Sequence, residues 1–222
     1  PIDPSMVADL EGVKARVRTD IADVSNLTTA GRVWRANSRL RGFQMGNRLW
    51  HTDSSFKRVP AKASLLYIQS IPPVGGQTEF ADMRAAWDAL DVKMQHMIDG
   101  RVAQHAIAYS RANLGFEMSA TENRNLPTVP QAMVRPHEYS GRTALYLAAH
   151  AGRIDGMADA AATALLEQLM EHATQRQFIY THRWRANDLV LWDNRCTMHR
   201  GLAFDDLRWP RDAQRATVLD IA

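Results

Sequence analysis

The sequence predicts a mainly β fold, a sandwich or barrel with helical additions. Three observations lead there. Short β-prone runs recur along the chain between Gly, Pro, Asn and Ser turns; only two segments keep a sound helical period; and one of those helices interrupts the order of the strands. The 222 residues, 45% hydrophobic, are enough to bury a core and suit one domain over 1–222. There is no internal repeat.

Residues 1–20 are polar and mixed in charge, with Pro4 opposing an early helix, and read as a tail or surface connection. Residues 21–27 alternate in the β manner, whereas 32–47, irregular and rich in Arg, read as a mobile loop. After Trp50-His51-Thr52-Asp53-Ser54-Ser55-Phe56 comes an apolar, β-prone run over 63–71, stopped by Pro72-Pro73-Val74-Gly75-Gly76. Residues 77–80 restart as a strand. Asp82 is placed to cap a helix from Met83, whose Ala86, Leu90, Met94 and Met97/Ile98 recur at helical spacing as far as Gly100.

Residues 101–109 suit another strand, and 110–130 have the Asn, Pro and Gly content of a long, lid-like loop. Residues 131–139 and 143–148 flank Ser140-Gly141 as a hairpin. The clearest helix covers 160–173, with Ala161, Leu165, Leu166, Leu169 and Ala173 as its apolar stripe. Phe178, Tyr180, His182 and Trp184 then alternate along a strand, Leu189-Val190-Leu191-Trp192 reads as a buried one, and 215–221 close the chain.

Charge and composition narrow the function. With 27 Lys+Arg against 24 Asp+Glu, net +3 and spread along the chain, there is no nucleic-acid footprint, only a mild attraction for small anions. No apolar run reaches the ~18 residues of a membrane span. The single cysteine, Cys196, excludes an internal disulfide and suits a reducing compartment, with the cytoplasm as default. Assembly into a homo-oligomer is left open.

His51 and Asp53 can turn toward one point if the backbone bends between them, giving two of the three ligands of an open metal site. Of the other histidines, His199 is the best third ligand, because it follows the Leu189-to-Trp192 strand and the turn Trp192-Asp193-Asn194-Arg195. His105, His137, His150 and His182 lack such a setting. Arg211 and Arg215, four apart, fall on one face of the last strand, and two guanidinia inside a barrel need anions. On spacing alone they could equally stand at a solvated edge or pair with Asp205, Asp206 or Asp212. Tyr109 and Trp209 are candidate aromatic wall residues, Trp192 packs beside the site, and Cys196 is a small buried hydrophobe.

Taken in order, His51-Thr52-Asp53, Gly75-Gly76-Gln77-Thr78, Trp192-Asp193-Asn194-Arg195, His199 and Arg211-x-x-x-Arg215-Ala216-Thr217 resemble the taurine dioxygenase and 2,4-dichlorophenoxyacetate dioxygenase family of Fe(II)/2-oxoglutarate-dependent enzymes. Trp50 to Phe56, Ile21-Ala22-Asp23-Val24-Ser25-Asn26, Phe80-Ala81-Asp82-Met83-Arg84-Ala85-Ala86 and Glu171-His172-Ala173-Thr174-Gln175-Arg176 are similar to the dichlorophenoxyacetate branch. Family members carry an N-terminal portion that helps cover the sheet and line the pocket. Most of it has no counterpart here, so the chain is expected to be a dioxygenase domain lacking its native N-terminal portion.

The resemblance implies a double-stranded β-helix (jelly-roll) core with the metal at one open end. It assigns His51, Asp53 and His199 to Fe(II), and Arg211 with the Thr78 hydroxyl to the far carboxylate of the co-substrate 2-oxoglutarate. O2 completes the set. Arg215 is given the anionic group of the primary substrate, with Asn47 and Phe56 lining its pocket. The implied reaction hydroxylates the carbon next to the carboxylate of a small acid, with succinate and CO2 as co-products. Aryloxyalkanoates come first and alkylsulfonates such as taurine second. A zinc hydrolase, or a non-catalytic carboxylate-binding barrel, are the competing readings.

Overall fold

The computed structural model describes residues 1–3 and 15–221. Its strands and helices follow in the order β1 (Ala22–Asp23), α1 (Arg39–Gln44), β2 (Ala61–Ser70), β3 (Thr78–Asp82), α2 (Met83–Asp88), α3 (Val92–Ile98), β4 (Val102–His105), α4 (Ile107–Ala112) and α5 (Ala120–Asn125). Then come β5 (Val129–Ala132), β6 (Val134–His137), β7 (Arg142–Leu145), β8 (Ala151–Ile154), α6 (Asp159–Ala173), β9 (Ile179–His182), β10 (Leu189–Asp193), β11 (Thr197–Gly201) and β12 (Asp212–Leu219). No helix among the described residues is long and apolar enough to cross a membrane.

Two antiparallel sheets make the jelly-roll core, one in the order β1-β12-β2-β10 and one in the order β11-β3-β9. They do not close into a barrel. Leu66 and Ile68 from β2, Phe80 from β3, Trp192 from β10 and Ala213 from β12 meet Trp184 in the cluster that joins the two sheets. A larger cluster lies on the far side of β3 and β11, where Ala81 and Met198 pack against α2 and α6 through Met83, Ala86, Leu165 and Leu169. The sheet β5-β4-β8 and the hairpin β6-β7 extend that side. A third cluster, Phe43, Phe56, Ile107 and Leu126, holds α1 against α4.

Several expectations give way, each for a local physical reason. Residues 32–47 are a loop only as far as Ser38: its side chain caps α1, Phe43 is the helix's buried anchor, and a 3-10 turn over Met45–Arg48 follows. The helix expected from Met83 to Gly100 is two, because Asp91 starts a second cap just after α2 ends. The strand expected over 101–109 stops at His105, where the chain enters α4. The lid-like stretch 110–130 carries the rest of α4, α5 with a Ser119/Glu122 capping box, and the start of β5.

Strand β8 had no sequence signal. In α6 the buried stripe is Ala162, Leu165, Leu169 and Ala173, so Ala161 faces out and Ala162 takes its place. Phe178 lies in a 3-10 turn rather than in β9, and Tyr180 is exposed on that edge strand. Strand β10 is not buried. It is the other sheet's edge, so Trp192 turns inward while Leu189 and Leu191 stay 61% and 62% exposed. The expected tail falls partly on residues 4–14, outside the described residues; Ile2 and Asp3 lie along β12, with Asp3 N–H donating to Thr217 O at 2.7 Å.

Candidate active site

His51 and His199 are brought together by a β-bridge in which each amide donates to the other's carbonyl, at 3.0 and 2.8 Å. Their rings stand 4.2 Å apart between centroids. Just beyond Asp53 the chain turns, with Ser54 at a left-handed φ of 54° and its hydroxyl donated to Asp3. Asp53 then lies between the imidazoles, with Oδ1 3.7 Å from His51 Nε2 and Oδ2 3.7 Å from His199 Nε2.

Hydrogen bonds fix these donors. His51 Nδ1 lies 2.8 Å from Leu49 O, a carbonyl that can only accept, so Nδ1 carries the proton and Nε2 presents its lone pair toward Asp53. Ser64 donates to Asp53 Oδ2 at 2.7 Å and is itself held by Asn194 Nδ2 at 2.9 Å. The Asn194 carbonyl accepts from Trp192 Nε1 at 3.0 Å and from the Asp53 amide at 3.3 Å. Arg215 Nη1 pairs with Asp53 Oδ1.

Burial pulls the His51 pKa down and holds that of His199 well below the ordinary histidine value, so both rings are neutral at pH 7. Burial alone would raise Asp53, yet the Arg215 charge and the other groups around it outweigh that and hold it down at about 2. Two neutral imidazoles and one carboxylate, with all three ligand atoms within 4.8 Å of one another, fit a divalent transition metal and leave part of its coordination sphere open. His137, Asp193 and Cys196 also cluster, but Asp193 is already held by Arg195 Nε and Nη2 at 2.9 and 2.6 Å.

The His51 and His199 imidazoles open on a cavity of about 370 Å³ that Asn47, Thr78, Arg211 and Arg215 also line. Arg211 is 8% exposed, donates Nη1 to Val24 O at 3.3 Å, and has no carboxylate partner among the described residues. Burial lowers it to about 10. Thr78 opens β3 after Gly75 and Gly76, which hold φ of 80° and 73°; a Cβ on Gly75 would strike Ala203 O. Trp184 Nε1 donates to Thr78 Oγ1 at 3.0 Å, which leaves the hydroxyl hydrogen free for an anion.

A second cavity, of about 580 Å³, adjoins through Asn47 and Arg215 and is walled by Phe43, Phe56 and Arg111. Phe56 stands edge-on to His150 at 5.0 Å. Tyr109 lines neither cavity: it sits in α4, its ring over Gly152 where a Cβ would strike it. Trp209, 37% exposed beneath the Arg208 guanidinium, lines neither as well. Trp192 packs beside His199 at 4.7 Å and Cys196 is buried, as expected. Sequence reading missed Ser64, Asn194 and Trp184, whose hydrogen bonds reach distant parts of the chain; only Asn194, next to the Trp192-Asp193 pair, stood in a motif quoted for the site.

A jelly-roll core with a His-x-Asp and distant-His triad, beside a buried arginine that has no carboxylate among the described residues, fits the metal-dependent dioxygenase class. Residues 11–217 match the model described as "Taurine catabolism dioxygenase TauD, TfdA family". The chain belongs to that family. It is 44% identical over 204 residues to the alpha-ketoglutarate-dependent 2,4-dichlorophenoxyacetate dioxygenase of Cupriavidus pinatubonensis, covering 91% of this chain and 71% of the relative. Identity is 36% with the (S)-phenoxypropionate/alpha-ketoglutarate-dioxygenase of Sphingobium herbicidovorans, over 84% of this chain and 68% of that one. The crystal structure of AAD-2 in complex with Mn(II) and N-oxalylglycine superposes with a TM-score of 0.87 at 48% identity, over 90% of this chain and 73% of that one.

Proposed function

We propose that the primary substrate is a small aryloxyalkanoate, hydroxylated on the carbon between its carboxylate and its ether oxygen. The chain is a 2-oxoglutarate-dependent dioxygenase of the TauD/TfdA family, working with Fe(II) and O2. The observation that carries the reading is the shared wall: His51 and His199 face the same cavity as Arg211, a buried guanidinium without a carboxylate among the described residues, and Thr78, a hydroxyl with a hydrogen to give.

His51, Asp53 and His199 would hold Fe(II), which with O2 and 2-oxoglutarate supplies oxidation of a C–H bond, leaving succinate and CO2. Arg211 and Thr78 receive the distal carboxylate of 2-oxoglutarate, the guanidinium as a two-pronged donor and the hydroxyl as a third. Asn47 and Phe56 bound the space for the primary substrate, and Arg215, at the junction of the two cavities, faces its carboxylate. Hydroxylation there leaves a hemiacetal whose collapse gives a phenol and an oxo acid. A zinc hydrolase gives Arg211 no task. The free, buried Cys196 suits a reducing compartment, and we place the protein in the cytoplasm.

The test is succinate formation with Fe(II), 2-oxoglutarate and O2 against a panel of aryloxyacetates, 2-aryloxypropionates and alkylsulfonates. Phenol release from an aryloxy acid in step with succinate is expected. Succinate release stimulated only by sulfonates would overturn the substrate assignment while leaving the dioxygenase standing.

A further inference from the structure

Among the described residues the buried charges do not balance. Every buried carboxylate among the described residues has a cation: Asp53 has Arg215, Asp206 has Arg41 and Arg48, Asp23 has Arg16, Asp3 has Lys57 and Glu122 has Arg39. Two buried guanidinia have no anion among the described residues, Arg211 and Arg111. The co-substrate supplies one for Arg211. Arg111, 3% exposed, is left over.

Its placement is built rather than incidental. The Ser110 hydroxyl spends its hydrogen on Ile107 O at 2.8 Å, so it can only accept from Arg111 Nη1 at 2.9 Å and from His150 Nδ1 at 2.9 Å. One face of the guanidinium is covered by the Phe43 ring at 4.3 Å, and Gly46 leaves it room, since a Cβ there would collide with it. A guanidinium carries five N–H donors, and Arg111 Nε is buried with no partner among the described residues. Burial lowers the group to about 10, a sign of uncompensated charge. With one face stacked, what it offers is its edge, the side on which arginine takes a carboxylate with two parallel hydrogen bonds.

We propose that Arg111 is the second anion anchor of the larger cavity, and that together with Arg215 it binds the carboxylate of the primary substrate. The inference rests on the aryloxyalkanoate reading above. Arg215 has Asp53 beside it, whereas Arg111 meets no carboxylate among the described residues, so an entering monoanion brings Arg111 its counter-charge. The two arginines, Phe56 and Asn47 wall the same cavity, which puts the acid between them and its aryl group against the phenylalanine.

The experiment compares an aryloxyacetate with its primary amide, a neutral analogue of nearly the same shape, in turnover and in anaerobic calorimetric binding to the chain loaded with Fe(II) and 2-oxoglutarate. Arg111→Gln is expected to raise KM and Kd for the acid by about 30-fold or more, to leave KM for 2-oxoglutarate within about twofold, and to shrink the acid-over-amide preference by the same factor. Arg111→Lys should recover part of that preference, and Gly46→Ala, which displaces the guanidinium without removing it, should lose part of it. Equal weakening of acid and amide would mean a packing role and overturn the proposal, as would unchanged acid affinity. If Arg111→Gln does not fold, the lysine and Gly46→Ala variants decide by the same ratio. If the wild type consumes 2-oxoglutarate only with acids of another class, the substrate reading fails, and the ratio measured on that acid and its amide still judges Arg111.

Discussion

The carboxylate of the candidate metal site is held by neighbours that no motif announced. Asp53 depends on the Ser64 hydroxyl, and Ser64 depends on the Asn194 amide, so the chain Asn194–Ser64–Asp53 sets the direction in which the carboxylate presents its oxygens. Ser64→Ala is therefore expected to weaken Fe(II) or Mn(II) binding by about 10- to 100-fold, read by metal titration, with little change in the melting temperature of the metal-free protein. His51, Asp53 and His199 were legible because two lie in one short motif and the third follows a strand-turn signal. Ser64 was not, because its only sequence property is to be a polar residue in an apolar run. Its meaning comes from pairing with Trp192 across the β2–β10 ladder. Arg111 was illegible for the same reason. A lone arginine in a stretch read as loop gives no sign that it is buried.

Among the elements, helix α6 was read almost correctly and strand β10 was read wrongly. In α6 the stripe itself decided the inward face, with an error of one position at its start, where Ala161 and Ala162 are chemically identical. Leu169, fully buried between that helix and the sheet, should cost about 2–5 kcal/mol when replaced by Ala, measured by denaturant unfolding. Leu191, equally apolar, faces away from the inter-sheet cluster on an edge strand, and Leu191→Ala should stay within about 0.5 kcal/mol in the same measurement. Hydrophobicity alone cannot separate the two cases, because strand order decides which face of a run is covered. The helices α1, α4 and α5 escaped for a related reason: each has only six residues, too few to show a period, and α1 and α5 are declared mainly by their caps, Ser38 and Ser119.

For the molecule as a whole, the buried histidines tie stability to pH. His105 is held at about 3 by burial, helped by the Arg135 charge, and burial also keeps His51, His150 and His199 neutral. Unfolding returns each to the ordinary value near 6.5, so below pH 6.5 the unfolded chain binds more protons than the folded one. Stability is full above that value and falls as pH drops toward 3, each such histidine contributing a slope of up to about 1.4 kcal/mol per pH unit. Asp53, at about 2, acts in the same direction only below about pH 4 and does not alter this window. The metal-free protein should thus melt progressively lower between pH 7 and pH 5, and His105→Gln should reduce that drop, as followed by thermal denaturation. The overall jelly roll was legible because ordered motifs spread along the chain agreed on it, while the open edges of its sheets were not.

The mutual bridge between His51 and His199 has a spectroscopic consequence. Each of these two amide hydrogens is donated to the other residue's carbonyl, so neither can exchange with solvent deuterium until the two chain segments part. Their exchange should be slow and matched in rate, and should slow further when a divalent ion is added. Because that signal comes from the backbone, it reports opening and closing at the chemical centre without oxygen, without turnover and without any knowledge of the substrate.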